Sequence, residues 1–242
     1  MGKRVHELTL EARMLEKAIR LRGDHIDEVA RKLRLACCEG RVGGTSCSYL
    51  GVWPADHLPK ASALCSRKTR GARCCYGMKC FVANTDPARS SGQHWVAFVS
   101  YAKHPNVVGF FDSYGYPISY YKHLAAGCEE AGYFNDAYTI VSVNARTLQH
   151  AQSVVCGHYC LLFLYLCARV ASSASTKVSA MQFLVMLTNP PGGGIDRAAR
   201  DALVLQSLRE LLRRNDALAP ALHCSLNYKF GARKQCCMPR RI

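Results

Sequence analysis

No stretch of this 242-residue sequence is apolar for long enough to cross a bilayer. The strongest apolar run, Leu161 to Leu166, extends over about a dozen residues before Arg169, which suits a buried core helix. The beginning, Met1-Gly2-Lys3-Arg4-Val5-His6-Glu7, lacks the apolar centre of a signal peptide. Paired CxxC elements are also missing. Of the 14 cysteines, six stand as adjacent pairs (Cys37-Cys38, Cys74-Cys75, Cys236-Cys237), which neither bridge one another readily nor frame a tetrahedral zinc site. Free thiols in a reducing intracellular compartment are expected, with no metal and no membrane partner. Acidic residues are scarce, 17 against 32 basic ones, for a net charge of +15. A chain so charged calls first for a nucleic acid partner.

Three regions are expected. Residues 1–44 read as a helical extension. Val5, Leu8, Leu15 and Ile19 mark one amphipathic stretch, and Ile26, Val29, Leu33 and Leu35 mark a second, before the break at Gly43-Gly44. Residues 45–220 read as the main domain. Within it, His94 to Ser100 and Val107 to Phe111 are strand-like, with Lys103-His104-Pro105-Asn106 as the turn between them. A hairpin centred near Lys103 would set His94 opposite Asp112. Further helices are expected over Thr176 to Leu187 and from an Asp196 cap to Arg213-Arg214. Residues 221–242 form a basic, cysteine-containing tail.

Cys156 opens the apolar helix and is followed by Gly157. A helix N-terminus favours thiolate over thiol, and glycine there lets the backbone bend and leaves a carbonyl carbon accessible. An imidazole that takes the thiol proton, and a carboxylate that holds the imidazole, would complete a nucleophilic site. His94 and Asp112 supply those groups. Gln149 or Gln152 supplies an amide for the oxyanion. Each also has a plainer reading: Cys156 as a core thiol like Cys160 and Cys167, His94 as a strand histidine, and Asp112 in Asp-Ser-Tyr-Gly as a turn residue.

The order His94, Asp112, Gln149, Cys156 separates this chain from papain-type enzymes, which run Cys, His, Asn. His-Trp opening a strand, Phe-Asp-x-x-Gly closing its neighbour, and Gln-x6-Cys-Gly-x-x-Cys entering a helix resemble the adenovirus-type endopeptidase (adenain) family, and more distantly the SUMO-specific proteases. Asn84-Thr85-Asp86 and Tyr49 to Pro54 extend the likeness over roughly residues 47–170.

The resemblance implies an α+β cysteine peptidase fold, papain-like or ubiquitin-like-protease in kind, with helices flanking a central mixed sheet and the nucleophile at a helix N-terminus. It implies Cys156 as nucleophile, His94 as general base, Asp112 as orienting carboxylate and Gln149, seven residues before the cysteine, as oxyanion amide. Trp53, Trp95 and Gly157 would line the substrate side. The implied activity is a monomeric thiol endopeptidase in virion and host nucleus, cleaving precursor polypeptides of a DNA virus or virus-like transposon near glycine. It would need no metal or organic cofactor.

By the same resemblance, DNA and an activating peptide are candidate effectors. Arg67, Lys68, Arg70 and Arg73 in one segment, and Lys229, Arg233 and Lys234 in the tail, would contact phosphates without sequence preference. Where adenain carries the cysteine that bonds its activating peptide, this chain has Tyr138, with Cys128 ten residues earlier. The segment before Gly43 is also absent from adenain. Competing readings are a deubiquitinase or deSUMOylase and a non-catalytic, basic DNA-binding scaffold.

Overall fold

The computed structural model describes residues 20–33, 35, 46–65, 76–102, 104–172 and 196–213. The fold is α+β, built on a mixed five-stranded sheet in the order β1 to β5: Ser46–Trp53, Tyr76–Asn84, Trp95–Tyr101, His104–Phe111 and Thr139–Ser142. The β1–β2 and β4–β5 pairs are parallel, and β2–β3 and β3–β4 antiparallel. Helices α1 to α5 span Gly23–Lys32, Ala61–Cys65, Lys122–Glu130, Cys156–Ser172 and Arg197–Arg213.

Strands β2 and β3 are apolar on both faces because both are covered. Met78, Cys80, Val82, Ala97, Val99 and Phe111 face α1, α4 and α5. Phe81, Ala83, Val96, Phe98 and Phe110 face the other way, toward Leu64 of α2 and Leu124 and Cys128 of α3. Helix α4 is buried nearly all round, from Tyr159 to Cys167, as a helix without a polar face must be. It runs against the sheet, with Phe163 stacked on Phe111 at 4.3 Å. That packing fixes where its first residue, Cys156, stands relative to the strand ends.

Helix α5 begins as expected: the Asp196 carboxylate accepts a long hydrogen bond from Ala198 N at 3.4 Å, and the helix runs to Arg213. Helix α1 covers the first half of the second amphipathic stretch, Ile26 and Val29, and ends before Leu33 and Leu35; Ile26, Ala30, Leu33 and Leu35 are buried in the core. The stretch from Val5 to Ile19, the break at Gly43-Gly44 and the helix expected over Thr176 to Leu187 lie outside the described residues. So do Lys103 and every residue singled out for DNA contact.

The hairpin forms, with a different register. Ala97 stands opposite Phe111 and Val99 opposite Gly109, so Val96, not His94, is level with Asp112. The shift arises at an irregularity between Ser100 and Tyr101. His104, Pro105 and Asn106 belong to β4 rather than to a turn. Tyr101 already pairs with His104, leaving a tighter connection than the turn chemistry suggests.

Candidate active site

The Asp-Ser-Tyr-Gly segment leaves the end of β4 and curls back on its own carboxylate. Gly115 makes the curl possible. Its φ is +75°, and a Cβ there would lie 2.8 Å from the Arg146 backbone. The turn delivers Tyr114 N to Asp112 Oδ1 at 3.0 Å and Tyr116 N to Oδ2 at 2.9 Å. The Tyr121 hydroxyl donates to Oδ2 at 2.9 Å, and His94 Nε2 donates to Oδ1 at 2.6 Å. Four donors thus satisfy a carboxylate that is 1% exposed, which makes its burial as an anion tolerable. Asn144 holds the same residue by its backbone, donating to Asp112 O at 2.6 Å. The turn reading and the orienting-carboxylate reading of Asp112 therefore coincide: the turn supplies half of the carboxylate's partners.

His94 is 7% exposed and lies just ahead of β3. The rings of Tyr114 and Tyr121 lie nearly parallel to it, at 4.8 Å and 5.7 Å. Burial works against charge on the imidazole. Hydrogen bonds to Asp112 and to the Cys156 thiol, with the Coulombic pull of both, outweigh it and raise the His94 pKa from 6.5 to about 9. Because Nε2 is occupied by Asp112, Nδ1 is the nitrogen left for the thiol. Cys156, 3% exposed, is the first residue of α4, where main-chain N–H groups lack partners within the helix.

Gly157 serves close packing, not the bend expected of it. A Cβ there would sit 3.1 Å from Ile26 Cδ1, 3.3 Å from Trp95 Cδ1 and 3.4 Å from Leu21 Cβ, and its φ is not in the left-handed region. Trp95 donates its indole N–H to Leu21 O at 2.9 Å, so the residues next to His94 and next to Cys156 both rest on the start of α1. Trp53 stands at the same end of the sheet, two strands away, with its indole donated to Leu50 O at 2.9 Å.

Gln149 is fully buried. Its Oε1 accepts from Ser113 Oγ at 2.7 Å, and its Nε2 donates to Ser153 O at 2.9 Å and to the Tyr114 hydroxyl at 3.2 Å. Its main chain is tied to the Asp112 turn too, since Leu148 N and Gln149 N both donate to Ser113 O. Gln152 is exposed, and its own N–H reaches His150 Nδ1 at 3.3 Å.

Several members of this site were not foreseen. Asp201 of α5, fully buried, accepts from Tyr159 of α4 at 2.9 Å and from His150 N at 3.1 Å. It props the Gln149 loop against the nucleophile helix; burial raises its pKa. Asn144, Tyr121, Ser113 and Tyr114 were unassigned as well, although the last two lie inside the Asp-Ser-Tyr-Gly motif. The nearby His158 does not compete as base. Burial, then Arg209, hold its pKa down at about 4. Among the described residues no three His, Cys, Asp or Glu side chains converge as a metal site. Cys128 is buried, with its thiol pKa pushed up to about 12 by that burial.

No family profile matches this chain, and no curated protein matches it in sequence. Among solved structures, the chain is similar in fold to the ASFV pS273R protease, at 20% identity and a TM-score of 0.30. The match covers 53% of this chain and 43% of that one, so it spans less than half the length of that protease.

Proposed function

We propose that this chain is a cysteine endopeptidase. The observation that supports it most is the relay from Asp112 through His94 to a cysteine at the first position of a buried helix. In the proposed cycle, His94 Nδ1 holds the Cys156 proton and the thiolate attacks a peptide carbonyl. A C–S bond forms and the carbonyl π pair moves to oxygen. The Cys156 main-chain N–H and the Gln149 side of the site stabilise that oxyanion. Collapse breaks the C–N bond, and the His94 proton leaves with the amine. Water, deprotonated by His94, then attacks the thioester, and loss of the acid restores the thiol–imidazole pair.

The finer reading is an adenain-like enzyme that matures capsid or core precursors of a DNA virus, or of a virus-like transposon, by cutting near glycine. Its setting would be the virion and host nucleus, with duplex DNA as a non-specific stimulant; the charge of +15 supports that part. The residue order and spacing around His94, Asp112, Gln149 and Cys156 support the family reading.

The test is cleavage of internally quenched Gly-Gly-containing peptides by wild type and Cys156→Ala, with and without DNA. Turnover lost in the variant at unchanged melting temperature is the expected result. Cleavage retained by Cys156→Ala would sink the assignment. Preference for ubiquitin-like tails over precursor-derived peptides would favour the isopeptidase reading instead.

A further inference from the structure

Gln149 is the side chain expected to donate to the oxyanion, yet it has nothing left to give. Both amide hydrogens are engaged, one by Ser153 O and one by the Tyr114 hydroxyl, and the side chain is closed off from solvent. The hydroxyl that receives the second hydrogen is placed differently. Tyr114 is half-buried, and its ring lies against the His94 imidazole. Its oxygen accepts from Gln149, so its own hydrogen is available. The acceptor facing that hydrogen is Ala151 O, at 3.4 Å and in exposed surroundings, against about 2.5–3.0 Å for a formed O–H···O bond.

Resting on the peptidase reading, we propose that the Tyr114 hydroxyl is the side-chain donor to the oxyanion, and that Gln149 acts through it. The chain Ser113 Oγ to Gln149 Oε1, then Gln149 Nε2 to Tyr114 Oη, ends on a hydroxyl that the amide polarises and holds in place. As the carbonyl oxygen gains charge, the O–H turns from Ala151 to that oxygen. No proton is transferred: the phenol donates a hydrogen bond and keeps its hydrogen. It also stays protonated through the neutral range, since burial, and after it the charge of Cys156, push its pKa up to about 12. Its place beside the reacting groups follows from the ring, which lies 4.8 Å from the imidazole of His94.

The test separates steps that build an oxyanion from one that does not. Tyr114→Phe keeps the ring and removes the donor, so kcat for peptides should fall by about 10²-fold with KM little changed. A Gly-Gly-aldehyde, whose thiol adduct carries the same oxygen, should bind more weakly by a similar factor. Iodoacetamide alkylation of Cys156 displaces iodide from a saturated carbon and forms no oxyanion. Its rate should stay within about twofold, which also shows that the site is folded.

Gln149→Ala should cost less than Tyr114→Phe, and the double variant little more than Tyr114→Phe alone. The inference is overturned if Tyr114→Phe slows alkylation as much as hydrolysis, because the hydroxyl would then act on the Cys156–His94 pair and not on the oxyanion. It is equally overturned if Gln149→Ala is the severe variant and Tyr114→Phe the mild one. If wild type cleaves no peptide and traps no aldehyde, the peptidase reading itself falls. Full activity in Tyr114→Phe removes this inference alone.

Discussion

Replacing Asp112 by Asn tests the relay most directly. The carboxylate accepts from His94 Nε2, Tyr114 N, Tyr116 N and the Tyr121 hydroxyl. An amide offers one acceptor oxygen, so the donors that faced the other oxygen meet an NH2 group, at about 1–3 kcal/mol for each buried donor left unpaired. The charge matters as much. His94 is lifted from 6.5 to about 9, and at about 1.4 kcal/mol per unit that is on the order of 3 kcal/mol of preference for the imidazolium. Without Asp112, burial still opposes the charge and only Cys156 supports it.

The alkaline limb of kcat/KM and of Cys156 alkylation should therefore move down from about 9 by at least about one unit. Turnover at neutral pH should fall about 10²- to 10⁴-fold. The folded pKa lies above the unfolded 6.5, so this part of the stability is complete below 6.5 and disappears as pH rises through about 9. The gap in melting temperature between wild type and Asp112→Asn should be widest at the acid end and narrow by pH 9. Paired pH–rate profiles and calorimetry at pH 6 and pH 9 measure both effects. An unmoved alkaline limb, with a melting gap independent of pH, would refute Asp112 as the source of the His94 charge.

Gly115→Ala meets the Arg146 backbone at 2.8 Å with φ at +75°, so it should cost about 1–3 kcal/mol and lower melting temperature and turnover together. An unchanged melting temperature would show that the turn around Asp112 yields easily. His158, held at about 4 against 6.5 when unfolded, refuses a proton in the folded state, so it removes stability as pH falls from 6.5 toward 4. Its share should reach about 2 kcal/mol by pH 4.5, and His158→Gln should flatten that acid arm in thermal melts. An acid arm equally steep in the variant would assign the loss to other groups.

The apolar run after Cys156 reads as a buried helix and the runs around Phe98 and Phe110 as strands, but that those strands are covered on both faces came only from the packing. Periodicity and length determine such elements locally, and they put the cysteine at a helix start and the histidine at a strand end. Motif spacing also singled out Gln149 over Gln152, and the structure encloses the first and exposes the second.

Register was beyond reach, because the irregularity at Ser100/Tyr101 shifts the pairing near the hairpin's end and no local residue announces it. The distance from His94 to Asp112 survives the shift because the Asp112 turn curls back toward the imidazole. Partners distant in the chain were equally invisible. Leu21 under Trp95, and Asp201 beneath the Gln149 loop, meet their targets only once α1 and α5 have packed on α4. The sequence by itself determined which groups are chemically able. Tertiary packing decided which of their hydrogens are already spent, and so closed in the Gln149 amide while leaving the Tyr114 hydroxyl only a long contact to Ala151 O, because hydrogen-bond valence is settled by neighbours in space.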